Sequence, residues 1–151
     1  MSIVGLVHVN VNCSDFERSK AFYEMLGFEL FMEPLPTNTP EVAAAVGLEP
    51  YRLRGGLMRL VDARSPFVID LLEWQDPSDS SPPYARMNHL GIARIAMASS
   101  DLDGDMAKYK AAGVEFLSEP ATVVWEGHAD SRFVCFKDPD GTVLELVEFI
   151  S

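Results

Sequence analysis

Apolar residues along the chain fall into short β-type runs, broken by polar turns and by two stretches with helical spacing. LVHVNVN (6–12) alternates in part and is rich in β-branched residues, which predicts a half-buried strand. Ser14 and Glu17 have the spacing of a capping box, so a helix is expected to start there, run to Leu26 and stop at Gly27, a residue suited to a left-handed cap. Farther on, Leu102, Met106 and Tyr109 recur at i, i+4 and i+7, placing one apolar stripe against a sheet. Further strands are expected near 28–33, 57–62, 67–74, 114–118, 131–137 and 142–150, with Asp138-Pro139-Asp140-Gly141 as a tight turn. Thr39 followed by Pro40 predicts a short extra helix before Gly47.

These elements repeat. Segment 14–34 lies over 100–120 without a gap, Ser14 on Ser100, and 8 of the 21 positions are identical, among them Asp15/Asp101, Tyr23/Tyr109, Gly27/Gly113 and Pro34/Pro120. FVIDLLEW (67–74) lies over TVLELVEF (142–149) at a shorter offset, so the first copy carries extra residues between Pro34 and Phe67. Each copy reads as strand, helix and three strands: module one is 3–74, module two is 89–150, and the polar, proline-rich stretch 75–88 links them. Tyr23 and Tyr109 recur at one helix position, which argues for packing rather than catalysis. The expected architecture is α+β, one domain of two βαβββ modules.

Composition narrows the function. With 151 residues, 48% hydrophobic and 23% charged, the chain can bury a core but has no room for a separate cofactor domain. A net charge of −11 repels nucleic acid and anionic membrane surfaces. No apolar run approaches a membrane span, and the stretch after Met1 lacks a basic signal region, so a cytoplasmic protein is the expectation. Cys13 and Cys135 are in no CxxC pair and read as buried strand thiols. Gly55-Gly56 reads as a turn; nucleophile-elbow, P-loop and dinucleotide fingerprints are missing.

The two βαβββ copies, S-D-F/L before each helix, G-[FV]-E after it and D-P-D-G-T-V-L-E-L near the end together resemble the vicinal oxygen chelate superfamily. That group includes glyoxalase I, methylmalonyl-CoA epimerase, extradiol dioxygenases, fosfomycin-modifying enzymes and bleomycin-sequestering proteins. The resemblance covers about residues 3–150 and implies two half-barrels around a shared cup. It also implies a divalent metal held by first and last strands, at positions that read His8, Asp70, Arg94 and Glu145 here. Arg94 departs from the pattern, because a guanidinium has no lone pair to offer and stays protonated. The remaining set, His8, Asp70 and Glu145, would suit Mn, Mg, Fe or Ni better than a structural Zn. Glu145 or Asp70 could act as ligand or base, and Arg94 could clamp a substrate anion or pair with an acid in place of a metal.

Trp125 and His128 lie in a loop of module two expected over the cup mouth, where substrate contacts are found. His89 reads as a linker or strand-entry residue. Glu73 and Glu148, on the strand face opposite Asp70 and Glu145, are expected to be solvated or paired outside. Trp74, Phe149, Phe67 and Val143 are expected to build core. Two functions compete: a lyase, isomerase or oxygenase acting, with metal assistance, on a small oxygen-rich substrate, and a metal-free protein that sequesters a drug or metabolite. A homodimer is implied by the resemblance for either.

Overall fold

The computed structural model describes residues 3–61, 63, 64 and 67–150, and Ser81 and Pro82 mark the boundary between two compact units. Unit one runs β1 (Val9–Asn12), α1 (Phe16–Met25), β2 (Phe28–Met32), α2 (Pro40–Ala45), β3 (Arg52–Leu60) and β4 (Val68–Asp76). Unit two runs β5 (Ile95–Ala98), α3 (Leu102–Ala111), β6 (Ala121–Val123), β7 (Asp130–Lys137) and β8 (Val143–Ile150). The sheets have one topology, β1-β4-β3-β2 and β5-β8-β7-β6. In each, the first strand runs parallel to the last while the other pairs are antiparallel. The class is therefore α+β, with a βαβββ order in both units and α2 added to the first.

Both long helices start on an aspartate rather than on the expected Ser14–Glu17 box. Asp15 accepts from the Arg18 amide at 3.0 Å, and Asp101 from that of Gly104 at 3.0 Å. Ser14 instead accepts from the Arg18 guanidinium, and Glu17 pairs with Arg54. A carboxylate directly before the first helical residue reaches the exposed amides and opposes the positive end of the helix. Glu73 and Glu148 complete these starts: Glu73 accepts from the Phe16 amide at 2.9 Å and Glu148 from that of Leu102 at 3.3 Å. Expected at the outside, they are the ties between each last strand and its helix. The helices end before Gly27 and Gly113, whose positive φ values of 102° and 92° favour glycine.

The cores lie between helix and sheet. Phe16, Ser19 and Tyr23 of α1 are buried, as are Met58, Ile69 and Leu71 of the sheet. In unit two the same layer holds Leu102, Met106, Tyr109, Val134, Phe136, Leu144 and Leu146. Tyr23 and Tyr109 pack, as their repetition implied; Tyr23 meets Phe28 edge-on with ring centroids 5.7 Å apart. Cys13 and Cys135 are both buried.

Several strand limits differ from expectation. Residues before Val9 are not in the strand. β3 begins at Arg52 rather than 57, with Gly55 and Gly56 inside it rather than in a turn. A Cβ on Gly55 would stand 2.5 Å from the Leu71 carbonyl oxygen and 2.6 Å from Leu72 Cδ2, so neighbouring chains occupy the space a side chain would need. The expected strand at 114–118 is reduced to a bridge between Phe116 and Phe136, and β6 forms only after Pro120, which has no amide to give to a ladder. β4 extends to Asp76, beyond the expected end of module one.

The extra segment of unit one forms α2 where expected, with Thr39 accepting from the Val42 amide. It packs Ala43 and Tyr51 with Leu53, Leu72 and Trp74, and Asn38 donates to the Tyr51 carbonyl at 2.7 Å. Among the described residues no helix is long and apolar enough to cross a membrane.

Candidate functional site

Strand alternation sorts the last strands into two faces. In β4, Ile69 and Leu71 face α1, leaving Asp70, Leu72 and Trp74 on the opposite face. In β8, Leu144 and Leu146 face α3, leaving Glu145, Val147 and Phe149. Asp70 is flanked by Asn10 on β1 and Leu57 on β3; Glu145 is flanked by Ala96 on β5 and Cys135 on β7. The repeat therefore carries each acid to the same place in its own sheet, on the face opposite the long helix of its unit; in unit one α2 packs on that face farther along, at Leu72 and Trp74.

In unit one, His8 Nε2 stands 3.8 Å from Asp70 Oδ2. Asp70 is partly buried, and that loss of hydration raises its carboxyl above the usual aspartate range, opposed by the His8 charge. A raised native value means that the folded state binds the proton more tightly than the unfolded chain. The stabilisation is then full below the ordinary aspartate pKa, near 3.9, and is lost as pH rises through the higher native value. Asp70→Asn should accordingly be more stable than the parent at pH 8, with the gain disappearing near pH 3.5; urea denaturation at the two pH values checks this.

In unit two, Arg94 Nε pairs with Glu145 Oε2. Glu145 is 6% exposed, whereas the Arg94 side chain keeps 45% of its surface. The Cys135 thiol donates to the same carboxylate oxygen at 3.6 Å. Burial first, and then the Glu145 charge, push Cys135 up to about 11. A thiol so held is a neutral donor with almost no thiolate at neutral pH. Cys135 is expected to resist iodoacetamide in the native protein at pH 8 and to react only after unfolding, followed by mass spectrometry.

Trp125 and His128 form a turn between β6 and β7, in which the His128 amide donates to the Trp125 carbonyl. The indole Nε1 of Trp125 donates to Ser131 Oγ at 2.9 Å, and its backbone amide to Asp130 Oδ1 at 3.0 Å. His89 stacks on Tyr84, centroids 4.1 Å apart, in the segment before β5. Phe149, expected in the core, is 68% exposed on the Glu145 face. Trp74, Phe67 and Val143 pack as expected: Trp74 lies against Tyr51, Phe67 against Phe28, and Val143 is buried. Sequence reasoning passed over Asn12, Tyr51 and Ser131, and gave Cys135 no role beyond that of a buried thiol. Cys135 and Ser131 gain meaning from their ladder partners Glu145 and Phe149, and Asn12 and Tyr51 from their contacts with Trp74, all of which exist only in the folded sheets.

The donor chemistry is unequal between the units. His8 and Asp70 could each offer a lone pair to a metal. Glu145 is already neutralised by a guanidinium that cannot ligate, and its thiol neighbour stays protonated. Among the described residues, neither unit alone gathers three His, Cys, Asp or Glu side chains fit to hold a metal ion.

Duplicated βαβββ units, each with an ionisable side chain at mid-strand on its open sheet face, define a protein of the glyoxalase-like class. The family model described as the Glyoxalase/Bleomycin resistance protein/Dioxygenase superfamily matches residues 5–146, and the chain belongs to that superfamily. It is 29% identical over 150 residues to the uncharacterised protein YwkD of Bacillus subtilis, spanning 98% of this chain and 99% of that one. A glyoxalase-family crystal structure from Bacillus cereus shares the fold with a TM-score of 0.79 at 19% identity, covering 100% and 99% of the two chains. The antibiotic-binding protein TnmS3 from a Streptomyces species matches with a TM-score of 0.64 at 24% identity, covering 99% and 98%.

Proposed function

We propose that this member of the superfamily binds a small organic molecule on its open sheet faces without a resident metal. The observation that carries the reading is the Arg94–Glu145 pair. A cation placed near Glu145 would meet a fixed guanidinium charge at close range and would have to displace it from a buried carboxylate. The residues therefore do not fit the metal that the superfamily implies, and no reaction step is derived through one. The role of TnmS3 as an antibiotic-binding protein is consistent with this reading. We take His8, Asp70, Arg94 and Glu145 as ligand-facing positions, with Trp125 and His128 on the loop beside the second sheet.

The test is thermal denaturation with Ni, Mn, Zn, Fe or Mg added, together with metal analysis of the purified protein. Wild type should gain no stability from any of these. Arg94→His, which supplies a neutral nitrogen and removes the charge, should bind at least tenfold more tightly, about 1.4 kcal/mol. One tightly held metal per wild-type chain, lost in His8→Ala, would overturn the proposal.

A second reading, an enzyme, is favoured by one observation: the half-buried Asp70 beside His8, whose raised proton affinity suits an acid or base. In that case Asp70→Asn abolishes turnover while leaving ligand binding intact.

A further inference from the structure

Internal duplication allows the fastening of one helix to be compared with that of its own copy. In each unit the glutamate that accepts from the first helical amide is paired across the ladder with an arginine, Glu73 with Arg54 and Glu148 with Arg132. The second residue of each helix is an acid, Glu17 or Asp103, and it forms an ion pair with that same arginine. Helix, third strand and last strand are thereby joined by one set of side chains in both copies.

In unit two the set closes on itself. Arg132 holds Asp103 with both ends of its fork, at 2.7 and 3.1 Å, and reaches Glu148 at 3.4 Å, while Glu148 accepts from the Leu102 amide. The hydrogen bond from Arg132 keeps the Asp103 carboxyl below the usual aspartate range. Ser99 adds a further charged tie, donating to Asp105 Oδ2 at 2.7 Å and accepting from the Asp101 amide at 3.1 Å. Bidentate and shared ion pairs are the surface pairs that contribute measurably.

Unit one has the same parts without the closure. Arg54 pairs with Glu17 and lies over the Phe16 ring, 5.2 Å from its centroid, and among the described residues no ion pair joins it to Glu73. The Arg54 and Glu17 side chains are 49% and 57% exposed, whereas Arg132 is 28% exposed. Cys13 and Ser19 stand where unit two has Ser99 and Asp105, so that position offers no carboxylate. The Glu73 contact with the Phe16 amide is the shorter of the two, at 2.9 Å, but the charged ties of α1 end on its first two residues, while those of α3 reach its fourth. Cys13 continues the alternation of Val9 and Val11 onto the face that α1 covers, with its amide bonded to the Leu72 carbonyl. It is 8% exposed, close to the 6% of Cys135.

We infer that the first turn of α1 is a movable flap, held by an open form of the clasp that locks α3, and that its release uncovers Cys13 while both sheets stay folded. Local opening of this kind draws on the least fastened part of a fold.

Iodoacetamide labelling of the whole chain in urea below the unfolding transition, read at each cysteine by mass spectrometry, tests this. Cys13 should label at a rate that hardly depends on urea, and Cys135 only in step with global unfolding. Glu73→Ala should speed Cys13 labelling about tenfold or more, the scale of losing a hydrogen bond to a charged group. Arg54→Met should speed it about threefold, the size of one exposed pair. Glu148→Ala, which cuts the equivalent tie of α3, should leave the Cys13 rate unchanged. Should Glu73→Ala not fold, Arg54→Met decides.

Labelling of Cys13 only in step with Cys135 would overturn the inference, because global unfolding would then be what releases the thiol. So would equal gains at Cys13 from Glu73→Ala and Glu148→Ala, or wild-type rates in both Glu73→Ala and Arg54→Met. None of these outcomes depends on what the open sheet faces bind, so they stand apart from the metal titration of Arg94→His.

Discussion

Replacing Arg94 with alanine is expected to lower stability by about 3 kcal/mol, the low end of the cost of removing one partner from a buried ion pair. The low end applies because Arg94 reaches water while Glu145 does not. Left alone, the Glu145 carboxylate would keep only the weak Cys135 thiol donor and a floor of Ala96 and hydrophobic neighbours. Urea denaturation should show the midpoint moving with little change in slope. Adding Glu145→Gln to Arg94→Ala should recover most of the loss, since the uncompensated charge goes with it. A single Arg94→Ala within about 0.5 kcal/mol of wild type would mean that water already solvates the acid and that the pair has no structural role. The same result would remove the argument that a guanidinium substitutes for metal charge at this site.

Gly55→Ala is expected to cost about 3 kcal/mol, the upper range for forcing atoms into a filled core. The new methyl would meet the Leu71 carbonyl, which is backbone and cannot turn aside, as well as the Leu72 side chain. β3 would have to move away from β4, loosening the pairing of Leu57 with Asp70 and the cluster beneath Tyr51. Gly56→Ala should cost less. Its hardest neighbour is the flexible end of Leu30, and the Met32 carbonyl lies 3.2 Å away, close enough to require only a small shift. Chemical denaturation of both variants gives the order; a larger loss for Gly56→Ala would show that the sheet, and not the side chain of Leu30, is what yields.

Much of the candidate site could be read along the chain because repetition supplies a second measurement of every position. The resemblance to the vicinal oxygen chelate superfamily picks out Asp70 and Glu145, the matching offset of their strands makes them equivalents, and the ladder registers place them at corresponding positions in β4 and β8. Arg94 stood out because its counterpart, His8, is chemically so different. What could not be read was which partner each would take. The His8–Asp70 contact and the Arg94–Glu145–Cys135 group join residues far apart in sequence, through neighbours set by strand order. Glu73 and Glu148 were placed on the correct face but given the wrong task. Their value at the helix starts depends on how closely α1 and α3 approach the ends of β4 and β8. Phe149 misled because an aromatic residue in a last strand normally signals core, and only its exposure in the folded chain reveals that this one is bare.

By itself the sequence determined the βαβββ repeat, its helices and their glycine ends, and the extra helix of the first copy. These follow from local causes: the two-residue period of strands, the 3.6-residue period of helices, caps, and the similarity of one half to the other. Tertiary structure decided that Gly55 and Gly56 belong inside a strand, that Tyr51 closes over Trp74 while Phe149 stays open, and that a carboxylate in unit two is paired with arginine and a neutral thiol. Those outcomes depend on the space between neighbouring strands and on the water excluded from each face, quantities set only when residues distant in the chain come together.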